Sequence, residues 1–299
     1  MTVTGSQQHL ESPGEPPPWS RRPSRPYDTR WRGPDFLSGS ADDGLGAAQA
    51  DCWDHEADRD ELRAAAAVDK SEADTIFVKL PPGLRRADLR GKAYLDLGCG
   101  YGRTLLYAAR ELGPSVAIGV DISSVMLSKA RDYADDHGLD PVLARAGIDR
   151  IPLPDESVDF VYSSAVLLHL PEEMVRAAIS ESLRVLRPGG VALFERCLIG
   201  WANPEGVQNK LMARLGRRVL RVAFVRTYRR RDIERIVRGA GPVSRAEIVP
   251  EGYKVLPKSL FTRSLGRLKP PIERLNRRAS RRLRFKGFLV ESWSVRLVK

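Results

Sequence analysis

The chain has 299 residues, is 42% hydrophobic and 29% charged, and carries a formal net charge of +11. This composition is typical of globular proteins, and the length is far above that at which a core needs disulfides or a metal. The three cysteines are widely spaced and lack zinc-site spacing, which argues against a disulfide framework and a metal site. The sequence has no run of about 18 apolar residues and no signal-peptide layout, which argues against a membrane span and secretion. We therefore expect a cytoplasmic protein.

Residues 1–57 are rich in proline, glycine, serine and charge, with few apolar residues to bury. This composition predicts a disordered N-terminal arm. Tryptophans at positions 19, 31 and 53 favour an alternative, in which part of the arm folds over a pocket. We expect residues 58–299 to form one domain, which opens with one or two helices over 58–80.

Strand-like apolar runs then alternate with amphipathic helical stretches. The five predicted strands are KAYLDLG, VAIGVDI, PVLARAG, SVDFVYSSA and VALFERCLI. The helix after the first strand should end at Gly113, and the helix after the second should have Ser123 or Ser124 as N-cap and end at Gly138. Strands that alternate with helices predict right-handed βαβ units and a parallel sheet.

The last third adds a long helical stretch over about 205–240, a strand-like PVSRAEIV, a basic segment over 256–284 and a final alternating run, GFLVESWSVRLV. The final run predicts an antiparallel strand added to the sheet.

The most informative segment is YLDLGCGYGR. Asp96 ends a strand there, and Gly98, Gly100 and Gly102 follow and open a helix, where backbone N–H groups can bind an anion. The dinucleotide-binding pattern GxGxxG would need glycine at position 103, which is arginine. A carboxylate beside an anion-binding turn suits a ligand with both an ammonium group and an anion, such as an amino-acid headgroup.

DLGCGYG resembles the first motif of the class I S-adenosylmethionine-dependent methyltransferases. The resemblance covers about residues 60–299 and is strongest over 93–197. It implies S-adenosyl-L-methionine as the cofactor and an α/β fold, a doubly wound, Rossmann-like sheet of seven mostly parallel strands with the last antiparallel. It also implies that Asp96 lies near the methionine amino group and that Gly98, Cys99 and Gly100 pass beneath the cofactor.

Asp121 ends the second strand, 19 residues after Gly102. A carboxylate at a strand end can accept two hydrogen bonds from a ribose diol, although it could instead interact with the dipole of the next helix. Ile122 and Met126 then lie where they can pack on an adenine, and Met126 could equally be a core residue.

The segment RAGIDRIPLPDESVDFVYSSAVLLHLP resembles a third segment of the family. The alignment puts Gly147 where an adenine-binding aspartate is often found and makes Ile148 an adenine-packing residue. Asp149 follows two positions late, and its role stays open. Ser163, in the fourth strand, is a further predicted cofactor residue.

Methyl transfer to a hydroxyl or phenol needs a nearby base. His169, just after the fourth strand, is one candidate, with packing or helix capping as the alternative. Glu195, at the end of the fifth strand, is a second candidate, with a surface ion pair to an arginine as the alternative. The position after strand four reads SSAV, not Asn/Asp-Pro-Pro-aromatic, and no Pro-Cys occurs, which argues against methylation of nucleobase amino groups and of base C5.

Charge is unevenly distributed along the chain. Residues 200–299 contain 26 basic and 7 acidic residues, whereas residues 1–199 contain 23 and 31. The resemblance implies insertions near 200–226 and 250–285 beside the acceptor pocket. The arginine-rich residues 210–284 predict a solvated face or an anionic partner, namely a membrane surface, RNA or an acidic substrate.

We expect methylation of an oxygen or nitrogen of a small molecule. Two alternatives remain, an RNA or protein methyltransferase that docks through the basic third and a cofactor-binding protein without catalysis.

Overall fold

A computed structural model of the protein describes residues 50, 53–54, 82–204, 207, 227–253, 271, 274–276, 278 and 289–299. Almost all of the predicted N-terminal arm and the helices expected over 58–80 lie outside these residues. The same holds for most of the arginine-rich residues 210–284 and of the two predicted insertions.

Within the described residues, eight strands form one sheet. They are β1 Ala93–Leu97, β2 Val116–Asp121, β3 Val142–Arg145, β4 Val158–Ser164, β5 Leu186–Gly200, β6 Thr227–Tyr228, β7 Arg245–Tyr253 and β8 Val290–Val298.

The strand order is β3-β2-β1-β4-β5-β8-β7, with β6 paired beside the end of β5. The first five strands are parallel, and β8 runs antiparallel to both β5 and β7. This arrangement confirms the predicted mostly parallel sheet with an antiparallel final strand, to which β6 adds a two-residue eighth strand. The order reverses beside β1, because β2 lies on one side of it and β4 on the other, and such a reversal opens a crevice at the carboxyl ends of the strands.

The helices that the structure describes in full are α1 Pro82–Arg85, α2 Arg103–Tyr107, α3 Ser124–Asp136, α4 Glu172–Val185 and α5 Arg230–Ala240. After α2 the chain continues as a π-helix to Leu112 and stops at Gly113, as predicted. The Ser123 side chain accepts a hydrogen bond from the backbone N–H of Met126. Ser123 is therefore the N-cap of α3.

Both faces of the sheet are covered, because alternate residues of each strand point in opposite directions. On one face, Leu95 belongs to the large cluster that contains Ile179 of α4 and Ile236 of α5. On the other, Tyr94 belongs to a smaller cluster with Leu105 of α2. Two buried apolar faces are what a doubly wound α/β fold requires.

The C-terminal third departs from the prediction in two places. The helix expected over 205–240 is interrupted by β6, and α5 begins only at Arg230. Thr227 lies in β6, and the N-cap of α5 is Arg229, whose backbone N–H donates to Asp232. Strand β7 continues to Tyr253, so residues 250–253 of the insertion predicted near 250–285 belong to the sheet.

Two arginines of α5 take part in ion pairs within the chain, Arg230 with Glu234 and Arg235 with Glu172. These two side chains therefore contribute less free positive charge than the composition indicates. None of the described helices is both long and apolar enough to cross a membrane.

Candidate active site

The glycine-rich loop follows β1 at the reversal of strand order. The backbone N–H groups of Gly98 and Cys99 both donate to the carbonyl oxygen of Val120 in β2, at 2.7 and 3.0 Å. Gly98 has a φ of +76°, and a Cβ built on it would lie 2.5 Å from the Val166 side chain. Only glycine satisfies both the positive φ and this close approach.

Asp121 fixes the next part of the loop. Its Oδ2 accepts a hydrogen bond from the Gly100 N–H at 2.7 Å, and its Oδ1 accepts one from the Ser123 N–H at 2.9 Å. Burial raises the pKa of this carboxyl group, and the two backbone hydrogen bonds oppose that rise. Because a carboxylate has roughly four lone-pair sites, Asp121 retains acceptor capacity for ligand hydroxyls.

Asp96 lies beneath the loop and is only 1% exposed. The Thr104 hydroxyl donates to its Oδ2 at 2.5 Å. Burial and the nearby Asp121 raise the pKa of Asp96, the Thr104 hydrogen bond opposes that rise, and the resulting pKa is about 7. A cation bound above the loop would favour the ionised form of Asp96.

A cavity opens over the loop at the carboxyl ends of β1, β2 and β4. Eight residues predicted as site residues line it: Gly98, Cys99, Gly100, Asp121, Ile122, Met126, Ile148 and His169. Asp96, Ser163 and Glu195 are not among its lining residues.

The surroundings of Asp149 bear on its role, which the sequence left open. Gly147, Ile148 and Asp149 all line the cavity, after the end of β3. The Oδ1 atom of Asp149 is buried and has no hydrogen-bond partner in the described structure. Because an unpartnered buried acceptor is costly, this atom fits a ligand that brings a donor, such as an exocyclic amino group.

Ser163 is fully buried in β4, and its carbonyl oxygen lies 3.3 Å from the Cys197 sulfur. The neighbouring Ser164 lines the cavity instead. Successive strand residues point to opposite faces. The side chain of Ser163 therefore points away from the cavity that Ser164 lines.

Cys99 contributes to the cavity wall, but its thiol packs against β2. A Cβ built on Gly119 would lie 2.8 Å from the Cys99 sulfur. Burial raises the pKa of this thiol well above its usual range. Cys99 is therefore a packing residue with an unreactive thiol.

His169 ends a short 3₁₀ helix, Leu167–His169, between β4 and α4. Its ring packs edge-on against Trp53, with 5.0 Å between ring centroids and 73° between planes. His169 and Trp53 both line the cavity. His169 thus lies where it could contact a bound ligand. It also makes a packing contact, which is the role that the sequence suggested as the alternative to a catalytic base.

Glu195 lies apart from this cavity and is 3% exposed. Its two carboxylate oxygens accept hydrogen bonds from the backbone N–H groups of Gly83 and Leu84, at 2.8 and 3.1 Å, and from the Tyr162 hydroxyl, at 3.2 Å. A carboxylate committed to these donors anchors α1 to β5 and β4. The described contacts give Glu195 neither the surface ion pair nor a position at the cofactor cavity.

A second and larger cavity lies on the α1 side of the sheet. Its volume is about 1230 Å³, against about 220 Å³ for the first. Glu195 lines the second cavity, and Ala165 lines both. Ala165, just beyond β4, has a φ of +61° and donates its N–H to the carbonyl oxygen of Glu195. Ala165, at the end of β4, is therefore a wall residue of both cavities.

Trp53, one of the tryptophans that favoured an arm folded over a pocket, lines the cavity. Other lining residues were not predicted, namely Tyr101, Arg103, Thr104, Ser164, Ala165, Val166, Leu170 and Met174. Tyr101 and Arg103 lie beside the glycines, so that motif could have pointed to them. Among the described residues, no group of three or more histidine, cysteine, aspartate or glutamate side chains is arranged to hold a metal ion.

Comparison with known proteins agrees with this geometry. Residues 95–190 match the methyltransferase domain family. An arsenite methyltransferase of Halobacterium salinarum is 41% identical over 120 residues, which are 40% of this chain and 30% of the relative. A malonyl-[acyl-carrier protein] O-methyltransferase of Yersinia pestis is 41% identical over 118 residues, or 39% of this chain and 40% of the relative.

The chain thus spans less than half the length of these relatives. Among solved structures, magnesium protoporphyrin IX methyltransferase from Synechocystis PCC 6803 has the same fold, with a TM-score of 0.53 at 15% identity, over 85% of this chain and 99% of that protein. The strand order and the glycine-rich loop agree with the family match, and residues 95–190 belong to a class I methyltransferase domain.

Proposed function

We propose that this protein binds S-adenosyl-L-methionine in the smaller cavity and transfers its methyl group to an oxygen or nitrogen of a small molecule. The observation that carries the proposal is the joint position of Gly100, Asp121 and Asp149 around one cavity, with a buried Asp149 oxygen that lacks a donor. A nucleoside supplies an exocyclic amino group for the unpartnered Asp149 oxygen and a ribose diol for the remaining acceptor sites of Asp121.

The lining residues divide by chemistry. Asp149 accepts from the adenine amino group, and the apolar side chains of Ile122, Met126 and Ile148 flank the ring. Asp121 accepts from the ribose hydroxyls. In this proposal the nucleoside lies between the ends of β2 and β3.

The amino-acid end of the cofactor then lies toward β1. Asp96 stabilises its ammonium group from beneath the loop, and the Arg103 guanidinium, at the start of α2, suits its carboxylate. The cofactor, when bound, supplies an electrophilic methyl group on a sulfonium. The excess of carboxylates around the cavity favours that positive charge.

The acceptor is proposed to enter from the larger cavity, because Ala165 lines both cavities. His169 is proposed as the base that takes a proton from the acceptor, since it lines the cofactor cavity four residues after Ala165. The apolar side chains of Val166, Leu170 and Met174 around it help to exclude water. The role of the protein is to align the acceptor atom with the methyl carbon.

The relatives named above act on different acceptors, and their similarity covers only about two fifths of this chain. The acceptor class is therefore proposed only as a small molecule with a nucleophilic oxygen or nitrogen.

Calorimetric titration of the full chain with S-adenosylhomocysteine tests the cofactor proposal. We expect binding with one site per chain, and a folded protein that binds none would refute it. Incubation of cell extract with the protein and methyl-labelled S-adenosylmethionine then tests transfer. Label in the small-molecule fraction is expected, and label confined to RNA or protein would support the alternative acceptors.

A further inference from the structure

Two residues distant in sequence from the methyltransferase domain reach its cofactor cavity. Trp53 and Asp54 are described and half-buried, and they precede the family match at residues 95–190. They contact two different parts of the cavity rim, and we call this pair of residues the clamp.

Asp54 contacts the N-terminus of α3. Its Oδ1 accepts hydrogen bonds from the Ser123 hydroxyl and, at 3.2 Å, from the Val125 N–H, while its Oδ2 lies 3.4 Å from the Ser124 hydroxyl. The Ser123 hydroxyl in turn accepts from the Met126 N–H. Two first-turn N–H groups are thus satisfied, and a negative charge lies at the positive end of the helix. These hydrogen bonds attach Asp54 to the N-terminus of α3, and the first of them is made at Ser123, two residues after Asp121.

Trp53 contacts the opposite part of the rim. Its indole lines the cavity and packs edge-on against His169, which follows β4. Because the two residues are consecutive, the chain at 53–54 bridges from the end of β2 to the end of β4. It therefore crosses beside the cavity in which the cofactor is proposed to bind.

We propose that the clamp retains the cofactor, with Trp53 as a wall of the binding site and Asp54 as a positioning residue that holds Trp53 against His169. The inference rests on the proposed function, and it assigns a cofactor-binding role to residues outside the methyltransferase domain itself. Trp53 covers the ligand, whereas Asp54 acts through the attachment to α3.

The test uses the full chain and measures how fast isotope-labelled S-adenosylhomocysteine dissociates when chased with excess unlabelled ligand. Trp53→Ala removes the indole, and Asp54→Ala removes the attachment. Loss of one aromatic contact should raise the dissociation rate of the ligand about tenfold. We expect this increase in each of the two variants. Because Asp54 acts through Trp53, the double variant should be no faster than either single variant.

Two further variants separate attachment from general stability. Asp54→Asn keeps an acceptor oxygen for Ser123 and Val125, so it should dissociate the ligand at close to the wild-type rate. Asp132→Ala, on the exposed surface of α3, is the matched control and should change nothing. Thermal unfolding of each variant checks folding, and Trp53→Phe replaces Trp53→Ala if the latter does not fold.

Wild-type rates in both single variants would overturn the clamp. An effect confined to Trp53→Ala, or accelerations that multiply in the double variant, would overturn the positioning role of Asp54. Absence of S-adenosylhomocysteine binding by the wild-type chain would instead refute the proposed function, so the two failures are distinguishable.

Discussion

The Thr104 hydroxyl donates to the Oδ2 of Asp96 at 2.5 Å, and both side chains are buried beneath the glycine-rich loop. This hydrogen bond is the largest of the influences that lower the pKa of Asp96, against burial, which raises it to about 7. The carboxyl group predicted to stabilise the cofactor ammonium is thus poised to change charge near neutral pH.

Affinity for S-adenosylhomocysteine should rise with pH. The ligand ammonium favours ionised Asp96, whereas the free protein protonates this group below about pH 7, so binding below that pH releases a proton. Log affinity should increase with a slope approaching tenfold per pH unit between about pH 5.5 and 7 and then level off. Calorimetry in buffers with different ionisation enthalpies measures the released proton.

Two variants check that Asp96 is the titrating group. Asp96→Asn cannot ionise and should weaken binding while flattening the pH dependence. Thr104→Val removes a hydrogen bond that lowers the pKa of Asp96, so affinity should level off at a higher pH than in the wild type. An unchanged pH profile in Asp96→Asn would contradict this assignment.

Asp149→Ala should weaken S-adenosylhomocysteine binding, because it removes the unpartnered oxygen that is proposed to accept from the adenine amino group. A lost hydrogen bond to a charged group costs about 1.5–3 kcal/mol, or at least tenfold in affinity. The comparison ligand is S-inosylhomocysteine, which lacks the 6-amino group. Wild type should prefer the adenosyl ligand, and the variant should lose that preference; a preference retained in full would show that Asp149 does not read the amino group. Asp132→Ala is the control.

His169→Ala should lower the single-turnover rate, measured with saturating S-adenosylmethionine, by ~10²-fold or more, as expected for loss of a general base. The rate is measured with the acceptor found by labelled methylation of extract. His137→Ala, at the end of α3 and away from the cavity, is the matched control. An unchanged single-turnover rate would remove His169 from the mechanism.

The free energy of unfolding should fall as pH rises, because of Glu251. Burial and the adjacent Glu195 raise the pKa of Glu251 to about 7 from its usual 4.5. Between these values the folded protein holds a proton that the unfolded chain releases. The stabilisation is therefore complete below about pH 4.5 and is lost as pH rises through about 7.

Thermal melts at pH 5.5 and pH 8 measure this effect. The raised pKa of Asp96 also lowers the stability as pH rises. The contribution of Glu251 is therefore isolated by comparing variants. Glu251→Gln should reduce the loss of Tm between the two pH values, whereas Glu173→Gln, at an exposed position in α4, should not. An equal loss in wild type and Glu251→Gln would rule out Glu251 as the source.

The sequence alone was sufficient for the sheet and the loop that binds the cofactor in the proposed function. Buried strands, helix caps such as Ser123 and the turn at Gly113 are specified by neighbouring residues, so local patterns reveal them. The same is true of Gly98, Gly100 and Asp121, because each follows directly on a recognisable strand. The fold class and about half of the described cavity lining followed from these signals and from the family resemblance.

Other features were decided only by tertiary structure. Ser164 replaces Ser163 at the cavity because one residue of register exchanges the two faces of β4. Glu195 proved to anchor α1, since its donors at Gly83 and Leu84 lie more than 100 residues away. The tryptophans of the N-terminal arm suggested a fold over a pocket only as an alternative to disorder. Trp53 contacts His169 and Asp54 contacts Ser123, and these contacts depend on how distant segments pack, which no local pattern encodes.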